Sequence, residues 1–234
     1  MKTIFIALSA AILLSGCVIH VVAGSNNTPN QHSVERFELD ASTLTQLVAS
    51  SEAGAFTLQG EAGRTKVEVV ADIYSYEGVK HDIQLQQKGD KAMLHASMSN
   101  SFVNSNSPYI NLTVKVPSTF GLVLDDGSGD ISITGLTGDL VVTDGSGEIR
   151  IDGGRSLTFD DGSGDAFIRN MQGAVTVKDG SGDLLVEQIG GVVTIDDGSG
   201  DIKIYRTGGL IITDAGSGDL VVDQINGPVS VAKD

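Results

Sequence analysis

Five copies of Asp-Gly-Ser-Gly-(Asp/Glu) begin at Asp126, Asp144, Asp161, Asp179 and Asp197, and an altered sixth block begins at Ala215. By subtraction the spacings are 18, 17, 18, 18 and 18 residues. Each block offers two carboxylates and a serine hydroxyl. Paired carboxylates serve as general acid and base or hold a hard cation, and a serine nucleophile needs a neighbouring base. The histidines, His20, His32, His81 and His95, all lie outside the repeat, so a Ser-His-Asp site within it is impossible from this chain. Acid pairs repeated in identical form read as architecture rather than as one tuned acid beside one tuned base. Cys17 is the only cysteine, which excludes a disulfide framework within one chain and any cysteine-based zinc site.

Stacking the blocks places Asp130, Glu148, Asp165, Asp183, Asp201 and Asp219 in one column, and Asp126, Asp144, Asp161, Asp179 and Asp197 in a second. Carboxylates about 4.8 Å apart repel by ~0.9 kcal/mol in water and by several-fold more at lower dielectric. Bonds to turn amides, solvation or bound cations must offset that. The expected offset is the Asx-turn, in which Asp accepts from nearby backbone N–H groups. The rival is a calcium roll, Gly-Gly-x-Gly-x-Asp-x-apolar. Against it, Asp130 directly precedes Ile131, shifting the parity by one, and the complementary turns carry Ser156, Ala174, Val192, Leu210 and Pro228 in place of the acid. No metal site is assigned, and no cofactor is expected.

Two other readings are weak. A crystal-binding face needs a flat row of one residue type, yet the outward positions read Ser132, Val141, Arg150, Thr158, Phe167, Thr176, Leu185, Thr194 and Lys203 in chain order. A phosphate loop needs glycines before a helix and a following Lys, and these glycines precede strands. The repeated Ser128, Ser146, Ser163, Ser181, Ser199 and Ser217 sit in glycine turns and read as structural.

The elements that carry these residues follow from the spacing. Half-repeats such as Gly135–Thr143 lie between the blocks, so the unit is nine residues: turn, Gly, variable residue, then apolar-x-apolar-x. Period two makes these strands and sends Ile131 and Ile133, Leu140 and Val142, Ile149 and Ile151, Leu157 and Phe159 inward. The same holds for Ala166 and Ile168, Val175 and Val177, Leu184 and Val186, Val193 and Ile195, and Ile202 and Ile204. Two strands and two turns per 18 residues describe an all-β, single-chain β-solenoid (β-helix), because one such unit cannot bury its own apolar face. An antiparallel meander has no reason to keep one five-residue turn at constant spacing. The second turn of each coil carries Leu136, Met171, Ile189 and Ile225, tucking that edge into the core and leaving the other edge acidic. Near the end, hydrophobicity sends Leu210 and Ile212 inward, which requires a bulge before Ala215.

Upstream, Val34–Leu39, Thr65–Tyr74, His81–Gln87, Lys91–Met98 and Tyr109–Val116 alternate as strands, and Thr43–Ser51 admits a helical turn. The expected organisation is a signal segment over 1–16, a lipidated Cys and tether over 17–33, a less regular β region over 34–116 that caps the solenoid, and the solenoid over 117–234. In the signal segment Lys2 precedes a short apolar stretch, Ile4 to Leu14, too brief to span a bilayer. Leu14-Ser15-Gly16-Cys17 resembles the bacterial lipobox. The resemblance implies cleavage before Cys17, diacylation of its thiol and acylation of the new amino terminus, hence stable membrane anchoring. Val18, in place of Asp, points to the outer membrane of a Gram-negative envelope.

Lys and Arg number 15 against 30 Asp and Glu, a formal charge of -15, which disfavours nucleic acid and electrostatic docking on anionic lipid. From Gly121 onward 20 acids face 7 bases, so the solenoid carries most of that charge. With no Trp and 5% aromatics, a stacking platform for sugars or bases is not expected. Val116-Pro117, then Gly121-Leu122-x-Leu124, then serial Gly-Ser-Gly-Asp-(Ile/Leu)-x-(Ile/Val), is similar to a bacterial β-strand-repeat family of candidate adhesins, from roughly Phe37 to the C-terminus. The resemblance implies an envelope β-solenoid with no established catalytic residues. The expected function is a non-enzymatic, lipid-anchored structural or adhesin-like module with a protein or glycan partner. A Ca²⁺-binding solenoid stands second and an envelope enzyme acting on polysaccharide third. Arg150, Arg155, Arg169, Lys178 and Arg206 read as surface charges softening the acidic rod.

Overall fold

A computed structural model describes residues 29–99 and 107–232; the signal segment, Cys17 and most of the tether lie outside them. The described residues form eighteen strands and no helix. The first seven are β1 (Gln31–Asp40), β2 (Gln46–Ser51), β3 (Phe56–Glu61), β4 (Lys66–Ser75), β5 (His81–Lys88), β6 (Lys91–Met98) and β7 (Tyr109–Pro117). The repeat supplies β8 (Gly121–Asp126), β9 (Ile131–Thr134), β10 (Leu140–Asp144), β11 (Ile149–Gly154), β12 (Leu157–Asp161), β13 (Ala166–Met171) and β14 (Val175–Asp179). It ends with the long β15 (Leu184–Asp197) and β16 (Ile202–Asp214), then β17 (Leu220–Ile225) and β18 (Val229–Val231).

The pairing is that of a β-solenoid-like ladder. On one face β8, β10, β12, β14, the second half of β15, the second half of β16 and β18 pair in parallel. On the other, β9, β11, β13, the first halves of β15 and β16, and β17 do the same. Partners lie one repeat apart: Leu140 meets Leu157, 17 positions on, and Val175 meets Val193, 18 positions on. Every expected inward pair from Ile131 to Ile204 is buried, as are Leu136, Met171 and Ile189 at the second turn. Each inward residue thus packs on its counterpart in the rungs above and below, and the core is a continuous column.

The bulge near the end is present. Leu210 and Ile212 are buried, Ile211 is 41% exposed, and the register steps from Ile195↔Ile212 to Asp196↔Asp214, leaving Thr213 as the extra residue. One unit is short at Gly153–Asp160, and the missing bulk there is replaced by a neighbour. A Cβ built on Gly154 would lie 2.5 Å from Met171 Cε, so the Met171 side chain occupies the room a larger residue would take.

The strands before the repeat join the same ladders. β2 lies parallel between β6 and β8, and β3 lies parallel between β7 and β9. Beyond them β5 pairs with β6, β4 with β7 and β1 with β4, all antiparallel. The region 46–51 is a strand, not a helical turn: Leu47 and Ala49 alternate into the core, and both edges of β2 are taken by strands. Neither β2 nor β3 was expected from the sequence. They are inserted next to the first rung although their partners there lie 75 positions further along the chain, Leu47 against Leu122 and Phe56 against Ile131, and no local pattern reports such a neighbour.

Candidate functional site

The two acid columns have opposite environments. Asp130, Glu148, Asp165, Asp183, Asp201 and Asp219 line the outer edge. There Asp130 Oδ1 accepts from Glu148 N at 3.2 Å, Asp165 from Asp183 N at 3.0 Å, Asp183 from Asp201 N at 3.1 Å and Asp201 from Asp219 N at 3.0 Å. Each such carboxylate therefore holds the next rung rather than closing its own turn, and that bond offsets the repulsion along the column. Among the described residues no group of three or more His, Cys, Asp or Glu side chains is arranged to hold a metal.

The leading acids, expected on the same edge, are inside. Asp126, Asp144, Asp161, Asp179 and Asp197 are 1–4% exposed and stacked in register on β8, β10, β12, β14 and β15. Their parity explains it. Leu122, Leu124 and Asp126 are alternate residues of one strand, as are Leu140, Val142 and Asp144, so the period that buries the apolar pair also buries the acid. An Asx-turn bond forms at two of the five: Asp161 Oδ1 accepts from Ser163 N at 3.3 Å and Asp179 Oδ1 from Ser181 N at 3.2 Å.

Burial pushes Asp126 up to about 7, with Asp144 adding to the rise and Ser51 on the rung below working against it. Burial, then Asp144 and Asp179, carry Asp161 to about 7; burial, then Asp179 and Asp214, carry Asp197 to about 6. Asp144 and Asp179 are raised by burial against the pull of their turn amides.

The glycine turns leave no room for side chains. At Gly182 φ is +144° and a Cβ would lie 1.9 Å from Gly164 O, so both the conformation and the approach of stacked backbones require glycine. The serines contribute backbone: Gly164 N donates to Ser181 O at 2.9 Å and Gly182 N to Ser199 O at 2.9 Å.

On the outer face of β9, β11, β13 and β15 lies a shallow groove of about 330 Å³. The Arg150 guanidinium sits 4.4 Å over the Phe167 ring in this groove, with Leu185 beside it. The basic residues are paired: Arg150 with Glu148 at 2.6 Å, Arg169 with Asp152 at 2.8 Å, Arg206 with Glu187 at 2.7 Å and Lys178 with Asp160 at 4.0 Å. Arg155 grips Asp139, which also accepts from Ser156 Oγ at 2.6 Å; the Arg155 bond, then Ser156, hold Asp139 at about 2. The opposite face has a feature that chain order hides. Its register gathers Thr158, Thr176 and Thr194 into a line bounded by Val141 and Ile211, a short row where none was expected.

The histidines stay apart from the repeat. His32 meets Asp72 at 3.2 Å and stacks on Tyr74, which stacks on Tyr109, and His81 meets Glu35 at 2.9 Å. His95 is exposed. His20 and Cys17 lie outside the described residues.

The Toastrack DUF4097 profile matches residues 39–226, most of the chain. The chain belongs to that family. Among solved structures, this Toastrack chain is similar to a candidate adhesin from Bacteroides fragilis, at 15% identity and a TM-score of 0.48, over 86% of this chain and 97% of that one. It is also similar to a candidate cell adhesion protein from Clostridium sporogenes, at 11% identity and a TM-score of 0.42, over 86% of this chain and 98% of that one. No curated protein matches the sequence.

In this Toastrack chain the signal for the buried acids was available. Counting by twos two residues past each apolar pair reaches Asp126, Asp144, Asp161, Asp179 and Asp197 without further information. A second signal is position 188 and its equivalents. Asn170, Gln188, Arg206 and Gln224 all have φ between +56° and +59°, where the corresponding Gly135 has +72°. The second turn therefore needs a left-handed residue in every coil, and only some coils supply glycine.

Proposed function

We propose that this protein is a lipid-anchored, non-enzymatic module of the cell envelope, built as a solenoid of 18-residue coils capped by its N-terminal strands and acting in adhesin-like binding. The observation that carries the reading is the outer face of β9, β11, β13 and β15. There stacked rungs hold Arg150, Phe167, Arg169 and Leu185 at fixed spacing, each cation already paired with an acid. Such a surface is rigid and amphipathic, with a different side chain on each rung, which suits a protein or glycan partner better than a small substrate. The acids argue the same way. The outer carboxylates are spent on rung amides and the inner ones are buried, so neither column forms an exposed acid–base pair poised over a cleft.

Two measurements test this. Binding of the purified chain to an immobilised glycan panel and to isolated envelopes should fall at least tenfold with Arg150→Ala and Phe167→Ala combined, with the melting curve unchanged; undiminished binding removes the face from the proposal. Labelled palmitate should be incorporated and then lost with Cys17→Ser; label retained in that variant removes the anchor.

A further inference from the structure

Five carboxyl groups stacked inside a protein need partners, and most of their oxygens lack well-formed ones. Both oxygens of Asp126, Asp144 and Asp197, and Oδ2 of Asp161 and Asp179, are buried without a well-formed hydrogen bond: eight of the column's ten oxygens. The Ser51 hydroxyl near Asp126 and the turn amides near Asp144 and Asp197 offset only part of that burial. The charged groups that act on the column are themselves acidic: Asp125 beside Asp126, Asp165 toward Asp179, and Asp214 beyond Asp197. Asp130, Glu148, Asp183 and Asp201, in the same turns, face outward to the next rung or to solvent. On β14 the cation Lys178 points outward to Asp160, and at the N-terminal end the column meets the buried Ser51 of β2. Five uncompensated charges in this setting are physically untenable, since an unpaired buried carboxylate neutralises instead.

We propose that the column is a proton-binding site, in which each interval between neighbouring carboxyls holds one proton taken from solvent as an O–H···O bridge along the solenoid axis. The rung spacing suits it. A carboxyl laid along the axis spans roughly half of the ~4.8 Å rise, leaving about the 2.5–2.7 Å of a charge-assisted O–H···O bond. Five carboxyls bound four intervals, so four protons satisfy the column and leave one negative charge. Asp126 and Asp144 are register partners on β8 and β10, and each acts on the other's titration, in opposite senses. A divalent cation fits less well. It takes six to eight oxygens, while an interval offers at most four, and the turn carbonyls of Ser181 and Ser199 are engaged by the amides of Gly164 and Gly182.

The sign of the linkage follows. Folded carboxyls bind protons more tightly than unfolded ones, so their stabilisation is complete below the unfolded Asp range near pH 4 and is lost as pH rises through about 6 to 7. The experiment is infrared spectroscopy of the full chain at about pH 7, read with melting curves from about pH 5 to pH 9. The wild type should show a protonated-carboxyl C=O band that bleaches toward pH 9, and its melting temperature should fall over the same range. Asp144→Asn, Asp161→Asn and Asp179→Asn combined keep the shape without the charge, and should remove most of the band and flatten the pH dependence. No such band in the wild type at pH 7 overturns the proposal, and that measurement stands even if the triple variant does not fold. A band that persists undiminished in a folded variant overturns it too. So does Ca²⁺ or K⁺ raising the wild-type melting temperature by more than about ten degrees, because the column would then hold cations.

Discussion

Gly182 and Gly63 separate two reasons for glycine. Both have positive φ, +144° and +74°, but a Cβ at Gly182 would meet Gly164 O at 1.9 Å while one at Gly63 meets nothing within 4 Å. Gly63→Ala should therefore cost about 1 kcal/mol, the strain of a left-handed alanine, and Gly182→Ala more than about 3 kcal/mol, because stacked backbones must separate. Denaturant melts of the two variants measure the difference. The opposite change is expected at Gln188, a non-glycine at φ +58°. Gln188→Gly should raise stability by about 0.5–1 kcal/mol, the relief of left-handed strain less the added freedom of the unfolded chain. At this scale the sequence showed which residue types recur, and the parity of each strand also carried where they point. The leading Asp of each block looked like a surface acid because of its chemistry, and the strand's parity, not its chemistry, decides that it is buried.

Among the elements, β16 is the sharpest case. Residues Leu210, Ile211 and Ile212 are all apolar, and the register shift between Ile189 and Val192 settles which of them face the core. It sets Leu210 on Val193 and Ile212 on Ile195 before Thr213 restores the spacing. Ile212→Asp should abolish folding of the last rungs, and Ile211→Asp should change stability by no more than about 0.5 kcal/mol. Circular dichroism melts of the pair check this, and equal effects would refute the bulge. The strands of the repeat were legible because identical spacing makes every rung report on its neighbours. β2 and β3 were not legible, because their parallel partners are distant in sequence: Leu47 sits on Leu122 and Phe56 on Ile131. Residues 46–51 also carry small and polar side chains, Ala49, Ser50 and Ser51, that weaken the alternation a reader would count.

For the whole molecule, a ladder in which each rung touches only its neighbours has nearly additive stability. Removing residues 162–197 excises two coils and rejoins equivalent positions of the acid turn. The shortened rod should still melt cooperatively, at a lower temperature, and unfolding at room temperature would mean that the rungs are not interchangeable. The account rests on parallel rungs stacked one repeat apart, and disulfide trapping on the outer threonine row reads that directly. Thr158 and Thr176 are register partners, whereas Thr158 and Thr194 are two rungs apart, about 5 Å and about 10 Å between Cα atoms. In a chain carrying Cys17→Ser, Thr158→Cys with Thr176→Cys should oxidise to an intramolecular disulfide without loss of fold, and Thr158→Cys with Thr194→Cys should not. A disulfide in the second pair but not in the first would contradict the stacking.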